Sequence, residues 1–135
     1  MKLFPESHKR KKAVVPLAVA DENGNPVLIK HPVVGVERLP LIVHRKVSIE
    51  GDYPNQSVIP KRGDFWTITH VFTGFNLGVH GSYKFCSTIA SKLLSEPILY
   101  LPTHKMMVEH RDFRTLHAII EDLKVQHFDL KGDNK

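Results

Sequence analysis

Cysteine is almost absent from this 135-residue chain. Cys86 stands alone, so no internal disulfide can form, and a reducing, cytoplasmic setting is expected. Long apolar runs are missing as well. No stretch approaches the roughly 20 residues that a helical bilayer crossing needs, and the charged N-terminus lacks the apolar core and small-residue cleavage site of a secretory signal. A soluble protein with no membrane partner is therefore expected.

Motifs that carry chemistry are equally scarce. Gly74, Gly78 and Gly81 match neither the phosphate-loop nor the dinucleotide spacing, and no βαβ pattern surrounds them. Nine histidines raise the question of a metal, since His104, His110, His117 and His127 crowd the last third. The spacing argues against one. There is no His-Glu-x-x-His pattern, and His110 to His117 spans about two helical turns instead of the single turn that lets two imidazoles share an ion. Neither a metal nor any other cofactor is expected. Cys86 falls on an apolar stripe, where a free thiol packs as a small hydrophobe. With no catalytic motif left, binding is favoured over catalysis.

What the chain does have is a strong local signal from Gly63 to Ser95. Phe65 to Phe72 is dense in β-branched and aromatic residues, the composition of a half-buried strand. Thr73-Gly74 suits a reversal, and Phe75, Leu77 and Val79 then alternate so as to share one face of a returning strand that ends near His80-Gly81. Ser82 stands where an N-cap belongs, and Phe85, Cys86, Ile89, Ala90, Leu93 and Leu94 make the stripe of a surface helix with one buried face. Pro97 sets its end near Ser95.

Elsewhere the pattern is weaker. Val14–Ala20 and Val27–Ile29 read as strands around the Asn23-Gly24 reversal. Leu41–Ile49 has strand composition, with Val43, Arg45, Val47 and Ile49 on one side and Ile42, His44, Lys46 and Ser48 on the other. Residues 51–57 read as an exposed loop and 60–64 as a turn. Ile98–Leu101 is a candidate short strand, and Thr103–His110 is ambiguous. Asp112 is a candidate N-cap for a second helix burying Phe113, Leu116, Ile120 and Leu123, with a start at Thr103 as the alternative. The expected fold class is α+β: an antiparallel sheet built from hairpins, with two helices (about 82–95 and 112–126) packed on one face. One domain over 13–128 follows, flanked by a flexible basic arm (1–12) and a frayed tail (129–135).

Charge is unevenly spread. Residues 1–12 hold five basic side chains and one acidic, 30–95 hold eight and four, and 96–135 hold six and seven. The run Lys9, Arg10, Lys11, Lys12, together with Arg45, Lys46, Lys61, Arg62, Lys84 and Lys92, would neutralise phosphates without reading sequence. The equivalent bland role is a solubilising tail and scattered surface charge. Trp66, Phe72, Phe75 and Tyr83 would offer stacking surfaces for bases, or else form the core. The expected function is a nucleic-acid-binding accessory or regulatory protein. The alternative is a protein-interaction module, an adaptor or inhibitor of a larger complex that meets a protein partner. A homo-oligomer is compatible with both.

Overall fold

Residues 11–128 are described in the computed structural model, except for the side chains of Lys11, Lys12 and His104. The expected arm, with Lys9 and Arg10, and the tail from Asp129 lie outside the described residues. Lys11 and Lys12 already belong to β1 (Lys11–Ala20), which pairs antiparallel with β2 (Pro26–Arg38) from Lys11↔Gly35 to Ala20↔Pro26. Asp21 turns this hairpin, its carboxylate accepting from the N–H groups of Asn23 and Asn25 at 2.9 Å each.

The chain is α+β, as its composition and periodicity predict. β3 (Leu41–Arg45), β6 (Trp66–His70) and β7 (Asn76–Gly81) complete a five-stranded antiparallel sheet in the order β1-β2-β3-β6-β7. β4 (Val47–Glu50) and β5 (Ser57–Pro60) form a separate two-stranded hairpin. Three helices, α1 (Tyr83–Leu93), α2 (His104–Glu109) and α3 (Phe113–Gln126), follow the strands.

Because side chains alternate across a strand, the central strands present two different surfaces. Leu41 and Val43 of β3 and Trp66 and Ile68 of β6 pack with Phe85, Ile89 and Leu93 of α1 and with Leu116 and Ile120 of α3. Ile42 turns the other way, into a smaller cluster with Val15, Leu17 and Val33. That second face is covered by the β1–β2 hairpin, which reaches across to the β6–β7 turn. Gly74 permits the contact. Its φ is +72°, and a Cβ there would collide with the Leu28 side chain and lie 3.2 Å from the backbone nitrogen of Ala18.

The capped helix forms as its sequence indicates, with the Phe85 N–H donating to Ser82 Oγ at 3.0 Å, an interaction worth about 1 kcal/mol. Asp112 occupies the N-cap position of α3, although its side chain makes no capping bond. The ambiguous stretch after Pro102 is the short helix α2, capped by Thr103, whose Oγ1 accepts from the Met106 N–H at 3.2 Å. It is separate from α3, so a single helix from Thr103 is excluded.

Several expectations are corrected. Leu41–Ile49 is not one strand: it breaks at Lys46, whose N–H donates to Phe65 O and whose carbonyl accepts from the Lys61 N–H. Val47 and Ile49 therefore leave the sheet that holds Val43 and Arg45. β2 is far longer than Val27–Ile29, and residues 51–56 join β4 to β5, a strand that begins at Ser57 and that the sequence pattern did not signal. Ile98–Leu101 is no strand. Pro97–Tyr100 forms a 3-10 turn, since the fixed φ of Pro97 suits a first helical position and Leu99 is buried with its carbonyl accepting from His70 Nε2 at 2.5 Å. Phe75 does not share a face with Leu77 and Val79. It precedes β7, and a bulge between Thr67 and Thr69 resets the register, with Gly78 at φ +75°.

Candidate functional site

The basic residues separate into those the fold consumes and those it leaves uncompensated. Arg45 is consumed. Its guanidinium donates to the Gly63 carbonyl, lies 3.8 Å from an Asp64 oxygen and sits over the Trp66 ring, 5.7 Å from the centroid. Asp64 also accepts from Trp66 Nε1 at 2.7 Å. Arg45 thus pins the turn before β6.

Lys46, Lys61 and Arg62 sit in the same corner without carboxylate partners among the described residues. The Lys61 N–H donates to Lys46 O at 3.0 Å and the Lys46 N–H to Phe65 O at 2.8 Å, so the β3–β4 break and the β5–β6 turn are held together by backbone. Lys61 and Arg62 are exposed and Lys46 is half-buried. Lys84 is exposed on α1, one residue beyond Tyr83, whose ring meets Trp66 edge-on at 5.0 Å. Lys92 lies eight residues further along α1, about 12 Å away. Lys12 pairs with Val34, next to the Gly35 that faces His44, which places its backbone about two strand spacings, or ~10 Å, from Arg45.

Beside this corner, on the face away from the helices, is a cleft of about 360 Å³. Leu17 and Ala18 of β1 and Val47 and Ile49 of β4 give it apolar walls, Phe75 and Asn76 close one end, and Lys46 brings the one charged side chain among its described lining residues. His44, Thr67 and Thr69 form its floor. His44 is 1% exposed and Thr69 also 1%.

The floor is a set of satisfied polar pairs. His44 Nδ1 lies 2.8 Å from the Arg45 carbonyl, which can only accept, so Nδ1 carries the proton. Nε2 then accepts from the Thr69 hydroxyl at 2.7 Å. Burial holds the His44 pKa below its ordinary value, partly offset by the bond to the Arg45 carbonyl, so the ring is neutral at pH 7. Thr67 donates to Val79 O at 2.9 Å and accepts from Asn76 Nδ2 at 2.8 Å, while Asn76 Oδ1 accepts from the Gly78 N–H at 2.8 Å. One Asn76 N–H remains, on an exposed side chain.

The aromatic candidates divide in the same way. Trp66 and Tyr83 are core, Phe72 is exposed against His70, and Phe75 lines the cleft. Cys86 is buried in the helix-side core and in no disulfide, its Sγ 3.9 Å from the Val79 carbonyl. Among the described residues, no group of three His, Cys, Asp or Glu side chains is placed to hold a metal ion, and no helix is long and apolar enough to cross a membrane. No family model matches the chain, and no curated protein or solved structure matches it.

Proposed function

We propose that this chain binds nucleic acid through phosphate contacts at the corner where β3, β4 and β6 meet. The observation that carries this is the pairing of Lys46 and Lys61 through a backbone hydrogen bond, with Arg62 next along the chain, all three left without ion-pair partners among the described residues. Asp64, the nearest acid, is taken by Arg45. Glu50 and Asp52 lie at the far end of the β4–β5 hairpin, away from its base at Lys46 and Lys61. Uncompensated cations in one place raise the local potential and release counterions when a phosphate backbone docks. Of the ten basic residues expected from sequence, this reading leaves out Arg45 and Lys92, while Lys11 and Lys12 lie in β1.

The test is the salt dependence of binding to a fluorescent single-stranded decamer. Affinity is expected to fall steeply from 50 to 200 mM salt, with each phosphate contact contributing a slope of about −0.7. Replacing Lys46, Lys61 and Arg62 together with Gln should flatten the slope by about 2, whereas Lys92→Gln should leave it unchanged. A salt-independent curve, or an unaltered slope in the triple variant, would overturn the proposal and favour a protein partner.

A further inference from the structure

The geometry points to the cleft beside the basic corner as a pocket for one unstacked nucleobase, which makes single-stranded nucleic acid the substrate class. This inference rests on the phosphate-binding role proposed above.

Three features of the cleft select this occupant. Its described lining residues include a cation and no carboxylate, so a ligand carrying negative charge beside an apolar body is favoured over a cationic one. Lys46 belongs to both the corner and the cleft. A backbone whose phosphates cross Lys46, Lys61 and Arg62 therefore passes the cleft opening, and the base attached there can turn inward. The volume of about 360 Å³ lies at the small end of ligand pockets. A duplex, whose bases are already stacked and paired, cannot deliver a base here without first opening.

The polar groups further restrict the base. The floor is closed chemistry: both ring nitrogens of His44 are occupied, and the Thr69 proton is given to His44. Asn76 is the exposed polar group of the lining, and its oxygen is already accepting from Gly78 while one N–H serves Thr67. The remaining N–H meets a ligand as a donor, and a base carbonyl, as in thymine, uracil, cytosine or guanine, complements it. Phe75 lines the same end of the cleft and supplies an apolar surface against which a base ring packs.

The experiment compares two decamers with identical phosphates, oligo-dT and a fully abasic strand, against the wild-type chain by fluorescence anisotropy at fixed salt. Loss of the base is expected to weaken binding by about tenfold or more, the range seen for one base–aromatic contact, and a duplex of the same length should bind more weakly than oligo-dT. Phe75→Leu, checked for an unchanged thermal midpoint, should narrow the gap between oligo-dT and the abasic strand while keeping the salt slope. Equal affinity for both strands, with the salt slope intact, would overturn the cleft assignment and leave the phosphate-binding role standing. Absence of salt-dependent binding to either strand would overturn both.

Discussion

The two faces of the central sheet are built from the same strands and are buried to a similar degree, yet they differ in kind. All five residues of β6 are buried. Trp66 and Ile68 enter an apolar layer under α1 and α3, while Thr67 and Thr69 enter a layer where each hydroxyl is matched to a partner. Burial alone does not distinguish a core from a site. Buried polar groups on the helix side include His70, which donates to Leu99 O and thereby ties β6 to the Pro97 turn, with Thr73 at 2.8 Å from its other nitrogen, and Ser82 and Ser87 of the α1 region. On the opposite side polar groups are the floor itself, and the cover is a hairpin of the same sheet. A face closed by its own hairpin leaves a gap that a packed helix layer does not.

The largest expected difference between the faces is energetic. Trp66→Ala should lower the unfolding free energy by about 3–5 kcal/mol, since it removes a fully buried side chain from the helix-side core. Thr67→Val, which removes the hydroxyl that donates to Val79 O and accepts from Asn76 Nδ2, should cost about 1–3 kcal/mol. Urea titration measures both. Equal costs would mean that the open face contributes to the fold as the helix side does.

The next effect is acid sensitivity. Burial lowers the pKa of both His44 and His70 from 6.5, against the smaller raising effect of a bond to a backbone carbonyl. The unfolded chain therefore binds protons that the folded one refuses. The stability these neutral rings carry is complete above about pH 6.5 and is lost as pH falls from there through the lowered folded values, by at most about 1.4 kcal/mol per pH unit for each ring. Urea midpoints between pH 7.5 and 5 should decline, and His44→Gln and His70→Gln should each remove part of that decline. A flat profile would show that neither ring is shielded from protonation.

Much of the helix side is legible in the sequence. The Ser82 cap, the stripe of α1, the buried positions of α3 and the Thr73-Gly74 reversal all rest on contacts close in sequence. The open face was not legible, because its contacts join distant segments: His44 meets Thr69 across 25 positions, and Leu17 and Ala18 reach Phe75 by hairpin closure. A trace was present in the alternation of Trp66 and Ile68 with Thr67 and Thr69, and in the grouping of His44 with Lys46 opposite Val43. Pro32 and Gly35 obscured the length of β2, since both weaken a strand pattern without preventing pairing. Charge was visible as composition, whereas the loss of Arg45 to Asp64 and Gly63 required the fold of the intervening turn.

Backbone amide shifts recorded while oligo-dT is titrated into the ¹⁵N-labelled chain test the division of labour most directly. The expected changes centre on Lys46, Lys61, Arg62, Phe75 and Asn76, with α1 beyond its first turn and α3 silent. Shifts concentrated on the outer surfaces of α1 and α3, with the open face unmoved, would contradict the account.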